Sequence, residues 1–438
     1  MTKNINSLPR HILEIILQMA SGGLLEINVM KKLALVCKYW REICTSARFV
    51  GMVTKGYLPL CWECPSVIRD LIMNYNLSMI RYLDMSLVID EDLAEIPKDH
   101  LIQSDEIIHL LSQCQNNLQR VRWDICGDWS DRDDDYLPKI VKYLCSNCHN
   151  VERLDFSQCT VRFGDSLSHL NQLKKLSRFS YMGYDDYPIT VDDLGDVLPQ
   201  LESLRDIHLE RVDIGDRDYP IFQKCDGILQ NLERLSLVNC KGVEEVMYQK
   251  WHLLRKLRRL DLFGTEITNG DLMIIGENCK LLWEIELSMC IEIDSNGLCR
   301  LRTLCPGIKN WYLERTPVCD VFLKHMCETP GVIERINLRC CSVSPRSVAR
   351  LVLKFPKIRY LNIMETEICC NTVEFIISAS RYLEHVERTC FDDKKLVIDP
   401  TMKPRFFFAG AAYASRVREP KNDSLRIRRY CQFIVNAT

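Results

Sequence analysis

The sequence predicts an α/β repeat protein: a parallel sheet on the concave side of a horseshoe, helices on the convex side, and a small all-α domain ahead of it. Three observations carry this. A nine-residue motif recurs along most of the 438 residues. Within each copy the apolar residues alternate as on a strand, and between copies they recur at helical spacing. Ahead of the first copy lie two helical runs that are apolar on more than one face.

The motif reads apolar, two variable, apolar, variable, apolar, two variable, then Cys or Thr. It appears as Leu232-Glu-Arg-Leu235-Ser-Leu237-Val-Asn-Cys240 and again as Leu257-Arg-Arg-Leu260-Asp-Leu262-Phe-Gly-Thr265. Starts at 232, 257, 282, 308, 333 and 358 are 25 or 26 residues apart, and upstream copies begin at Leu118, Val151, Leu176 and Leu204, spaced by 25 to 33. A degenerate copy surrounds Ile80, Leu83 and Met85. This is the leucine-rich repeat. One repeat cannot bury its own apolar face, so stacked repeats share a core. Strands pack closer than helices, which bends the stack.

The 23 cysteines fit the same frame. Cys126, Cys159, Cys240, Cys290 and Cys341 take the ninth position, and Cys148, Cys279 and Cys305 lie three residues before the first. Recurring slots imply compact buried thiols rather than disulfides. Two Cys-x-x-Cys pairs, Cys61/Cys64 and Cys145/Cys148, lie far apart in sequence, and a zinc site needs four ligands. We expect reduced thiols and no metal.

Residues 1–50 read differently. Ser7-Leu8-Pro9 opens a helix in which Ile12, Ile15, Ile16 and Met19 form one apolar face and Leu13, Leu17 and Ala20 a second. A further run places Leu33, Val36, Cys37, Trp40, Ile43 and Cys44 at helical spacing. So short a segment has a marginal core of its own, so the surplus apolar surface implies a partner. The residues Leu8-Pro9, Ile12-Leu13, Ile15-Ile16, Leu35-Val36-Cys37-Lys38 and Trp40-Arg41 resemble the F-box, and the repeats resemble the cysteine-containing subtype found with it. The resemblance implies a substrate receptor of an SCF-type cullin-RING ubiquitin ligase. Leu8, Pro9, Ile12, Leu13, Ile16, Val36 and Trp40 would then contact the Skp-type adaptor, and through it cullin and the RING protein. The alternative is a ligase-independent scaffold or inhibitor built on the same repeats.

The remaining segments complete the division. Residues 51–76 read as a helical connector, 77–393 as about 11–12 repeats, and 394–438 as a cap and basic tail containing Phe406, Phe407 and Phe408. Residues 127–136 form an acidic insertion around Trp129. A net charge of −2 gives no global attraction to nucleic acid or membrane. The N-terminus shows no signal-peptide pattern, and no stretch has the length of a membrane span. The expectation is a cytoplasmic or nuclear protein. No phosphate loop, Gly-x-Ser-x-Gly or His-Glu-x-x-His motif occurs, so no catalytic residue or cofactor is expected.

The third, fifth and seventh motif positions should face the concave side. There the sequence offers Arg259, Asp261 and Phe263; Glu284 and Glu286; Tyr312 and Glu314; Arg335 and Arg339; Tyr360 and Met364. Aromatic and Arg side chains are enriched at binding hot spots. The cargo protein is therefore expected across the repeats from 257 to 364.

Overall fold

The computed structural model describes residues 36, 38–59, 65–86, 103–124, 136–157, 164–183, 191–215, 221–368, 370–380 and 382–387, with the single positions 10 and 13. Leu8, Pro9, Ile12, Ile16, the Cys61/Cys64 pair, Cys126, Cys159, the acidic insertion up to Asp135 and the basic tail lie outside them.

The chain divides into two compact units, Met1–Glu286 and Leu287–Thr438. In the first, nine strands pair in parallel and in chain order: β1 Tyr57–Pro59, β2 Tyr82–Ser86, β3 Arg120–Asp124, β4 Arg153–Ser157, β5 Arg178–Met182, β6 Asp206–Glu210, β7 Arg234–Val238, β8 Arg259–Asp261 and β9 Glu284–Glu286. In the second, β10 Asn310–Tyr312, β11 Arg335–Asn337, β12 Tyr360–Asn362 and β13 His385–Glu387 do the same. This is the leucine-rich-repeat fold. Strand begins at the third motif position in every repeat, and the register never slips. Leu235, Leu260 and Ile285 are partners in turn, as are Trp311, Ile336, Leu361 and Val386.

The first, fourth and sixth positions build the core, as the pattern requires. Leu232, Leu235 and Leu237 are at most 1% exposed, and so are Ile308, Trp311 and Leu313. Each such side chain contributes about 1.5–3 kcal/mol relative to an exposed one. Helices cover the other side of these residues. Pro345–Lys354 turns Val348, Leu351 and Val352 inward, and its N-cap Ser344 accepts from the Ser347 amide. Asn269–Asn278 begins in a capping box between Thr268 and Asp271, and Ser295–Leu304 begins on Asp294.

One expectation needs correction. The segment 51–76 is not a purely helical connector: after the helix Ala47–Thr54 it forms β1, and only then the helix Pro65–Asn74. Tyr57-Leu58-Pro59 is too short to show the alternation, yet Leu58 is 1% exposed and Tyr57 pairs with Tyr82. β1 adds a strand ahead of the twelve, β2 to β13, that lie within 77–393.

The ninth position shows why Cys and Thr share it. The Thr265, Thr316 and Thr366 hydroxyls donate to the sixth-position carbonyl of their own repeat at 2.7, 2.6 and 2.6 Å. The Cys240 and Cys341 thiols donate instead to the sixth-position carbonyl of the preceding repeat, Leu209 and Leu313, at 3.5 and 3.0 Å. Both are small groups that satisfy a carbonyl at a strand end. Cys148, Cys279 and Cys305 are buried helix ends, their amides donating to Leu144, Ile275 and Leu301. Cys145 and Cys148, the described Cys-x-x-Cys pair, are both buried free thiols.

The eighth position is left-handed in every repeat from 204 to 358. Arg211, Asn239, Gly264, Met289, Arg315, Cys340 and Glu365 have φ between 51° and 67°. The chain turns there from strand toward helix. The sequence places glycine at one of the seven.

Candidate protein-binding surface

Of the expected adaptor contacts, three are described. Val36 is 58% exposed, and Trp40 is half-buried in the helix Lys38–Cys44. Leu13 is 0% exposed. It is a core residue rather than a docking residue, which fits its place on the second apolar face of the sequence pattern.

On the sheet, the third, fifth and seventh positions do share the face opposite the apolar core, but that face is more packed than a solvated one. Glu284, Ser288, Asn310, Asn337 and Asn362 are all nine-tenths or more buried. The fifth position explains part of this. Asp261 Oδ1 accepts from the Phe263 amide at 3.1 Å, Asn337 Oδ1 from Arg339 at 3.1 Å, and Asn362 Oδ1 from Met364 at 3.0 Å. Three repeats thus close the strand with the same side-chain turn. Asp261 is thereby held in a structural role, although sequence reading placed it in the binding strip.

In the first unit the site residues are Arg259, Asp261, Phe263, Glu284 and Glu286. The Arg259 guanidinium lies 4.5 Å from the Trp283 ring centroid, and its Nε is 3.9 Å from Glu284 Oε1. Phe263 and Glu286 are half-buried beside them.

In the second unit Glu314, Arg339 and Glu365 form a network. Arg339 Nη1 donates to Glu314 Oε1 at 3.3 Å, and Nε donates to Glu365 Oε1 at 3.1 Å while Nη2 pairs with the same oxygen. Asn337 Nδ2 donates to Glu314 Oε2 at 3.3 Å. The Cys340 thiol donates to Glu365 Oε2 at 2.9 Å. That thiol bond and then Arg339 hold the Glu365 carboxyl below its ordinary range. Burial first, and then Glu365, push the Cys340 thiol up. A raised thiol is a poor nucleophile. Tyr360 and Met364 are half-buried, Asn362 Nδ2 lies 3.4 Å from the Tyr360 hydroxyl, and Arg335 is exposed.

Sequence reading missed Cys340 and Glu365, because the eighth position carries no residue-type signal. It also missed Tyr57 and Tyr82, with ring centroids 4.7 Å apart on β1 and β2.

No family model matches the chain, and neither does any curated protein sequence. Two solved structures are similar in part. One is an internalin, inlF, from Listeria monocytogenes, at 12% identity over 65% of this chain and 89% of that one, with a TM-score of 0.41. The other is the Rad7 and Elc1 complex of yeast, at 13% identity over 84% of this chain and 74% of that one, with a TM-score of 0.39. At these scores neither likeness carries an argument about what this chain does. The leucine-rich-repeat assignment rests on the strand register itself.

Among the described residues no group of three or more His, Cys, Asp or Glu side chains is arranged to hold a metal ion, and no helix is long and apolar enough to cross a membrane.

Proposed function

We propose that the chain is a protein-binding leucine-rich-repeat receptor that serves an SCF-type ubiquitin ligase, without catalysis of its own. The sheet face takes the protein substrate, and the N-terminal motif takes the Skp-type adaptor. Mechanistically this is proximity: the receptor raises the effective concentration of substrate lysines near the charged ubiquitin-conjugating enzyme. Cytoplasm and nucleus are where such a complex works.

The observation that carries the receptor half is the sheet face, where Arg259 stacks on Trp283 and half-buried aromatic side chains sit among ion pairs. Arg and aromatic residues are the usual anchors of protein interfaces. What supports the adaptor half is the F-box resemblance of residues 8–41, together with Val36, a large apolar side chain left more than half exposed beside it.

The test is co-purification of the Skp-type adaptor and cullin with the full chain. Val36→Asp, a change at an exposed position, should abolish capture and leave the thermal midpoint unchanged. Leu8→Ala with Pro9→Ala should do the same. Capture that survives all of these changes, or no capture by the wild type, leaves the ligase-independent scaffold as the reading.

A further inference from the structure

Among the described residues, the third positions of the first unit form a row with a local excess of positive charge. In strand register the row runs Tyr57, Tyr82, Arg120, Arg153, Arg178, Asp206, Arg234, Arg259, Glu284. Neighbouring strands are about 4.8 Å apart, so five guanidinium stems and two carboxylates stand side by side, with three of the guanidinium groups consecutive. Asp206 serves two of them: its Oδ2 lies 3.4 Å from Arg178 and 3.5 Å from Arg234. Arg259 has Glu284 and the Trp283 ring. Arg120 and Arg153 are half-buried and have no carboxylate within ion-pair distance among the described residues.

Like charges directly opposite on adjacent strands are unfavourable. The fifth-position row beside this one avoids them: Asp84, Arg122 and Asp155 stand in register with alternating sign. The third-position row instead sets Arg120, Arg153 and Arg178 next to one another. Burial, and after it Arg120 and Arg178, hold the Arg153 guanidinium below its usual range. At the β1 end of the row lie Tyr57 and Tyr82, ring centroids 4.7 Å apart and tilted by 34°, both half-buried, with the Tyr57 hydroxyl donating to Asp84 Oδ2 at 2.9 Å. Tyr and Arg together are the composition of an interface hot spot.

We propose that Arg120 and Arg153, flanked by Tyr82 and Arg178, receive the carboxylates of an acidic segment of a partner protein. One partner carboxylate bridges the two guanidinium groups as Asp206 bridges Arg178 and Arg234. That internal pair shows which anion the row accepts and how. The inference rests on the sheet face being a binding surface and is independent of the ligase.

The experiment is fluorescence anisotropy of a labelled oligoglutamate peptide titrated with the full chain at low and high salt. The wild type should bind, and salt should weaken binding. Arg120→Gln with Arg153→Gln should lose about tenfold or more, a loss of roughly 1.4 kcal/mol. Lys357→Gln, an exposed cation elsewhere, should leave affinity unchanged. The double variant should also melt at or above the wild-type temperature, because a repulsion is gone. Equal affinity in the double variant, an equal loss in Lys357→Gln, or a lowered midpoint would each overturn the assignment. So would tighter, ladder-dependent binding of a phosphoserine peptide or a duplex oligonucleotide than of oligoglutamate. Loss of adaptor capture with peptide binding intact would remove the ligase reading and leave this one standing.

Discussion

His208 occupies a fifth position on β6 and is 4% exposed. Burial, and then the nearby Arg178, push its pKa down from 6.5 to about 3. Glu210 Oε2, at 3.9 Å from Nε2, is too distant for a hydrogen bond that would hold the proton. The folded protein therefore keeps this imidazole neutral where the unfolded chain protonates it. Between pH 6.5 and about 3 the unfolded state binds the extra proton, so stability is full above that window and falls as the pH drops through it. The slope approaches roughly 1.4 kcal/mol per pH unit for one such group. Urea melts at pH 7 and pH 5 should show this loss, and His208→Leu should flatten it; an equal pH slope in the variant would remove His208 as the cause. Arg302 is the opposite case, a fully buried cation kept in place by carbonyls. It donates to Pro306, Ile308 and Pro330, the last at 3.0 Å, and so ties its own helix to the next loop. Gly331 makes room for it, since a Cβ there would lie 2.3 Å from Arg302 Nη2.

At the scale of the element, each repeat is strand, left-handed turn and return. The eighth-position turn sets a measurable preference. Met289 has φ 62°, is 40% exposed, and its amide donates to the Glu314 carbonyl at 2.8 Å. Relief of the left-handed strain, about 1–2 kcal/mol, is offset in Met289→Gly by the extra freedom glycine gives the unfolded chain, about 0.5–1 kcal/mol. That variant should stay close to wild type in chemical denaturation. Met289→Val, β-branched at positive φ, should fall below the glycine variant by roughly 1–2 kcal/mol. Equal stability of the two would show that the backbone relaxes. The strands from 118 to 358 were legible because Leu235, Leu260 and their equivalents must be buried at fixed spacing, and burial is what the periodicity records. β1 was not, because three residues ending in Pro59 carry no periodicity. The turn-capping part played by Asp261 was not legible either, for a different cause. A carboxylate that caps its own turn and one that awaits a ligand look alike in a sequence. The Arg120–Arg153–Arg178 row was visible as residue types, but its electrostatic setting was not, since that depends on which carboxylates the register brings near.

For the whole molecule the thiols are the natural reporters. Fourteen described cysteines are free, and all but Cys299, Cys319 and Cys340 are buried. Burial raises Cys114, Cys145, Cys148, Cys225 and Cys240 to about 12, so a thiolate is absent from the folded state at neutral pH. In native buffer a thiol reagent should modify Cys299, Cys319 and Cys340 first. The buried set should react only on unfolding. Because each repeat contacts its neighbours alone, the order of labelling in graded denaturant should follow neighbourhoods along the chain rather than a single event. Mass spectrometry of the labelled peptides reads this out, and simultaneous labelling of Cys145 and Cys341 at every denaturant concentration would argue for one cooperative unit. The seven left-handed positions add a stereochemical consequence. Gly242 and Gly331 aside, the rest of the described backbone in these repeats is built for L residues, and a mirror-image residue would meet the steric clash that ordinarily keeps chains right-handed. At Arg211, Asn239, Gly264, Met289, Arg315, Cys340 and Glu365 that preference is inverted. In a chain assembled by chemical ligation these are the sites, one per repeat, where an amino acid of the opposite chirality belongs to the fold.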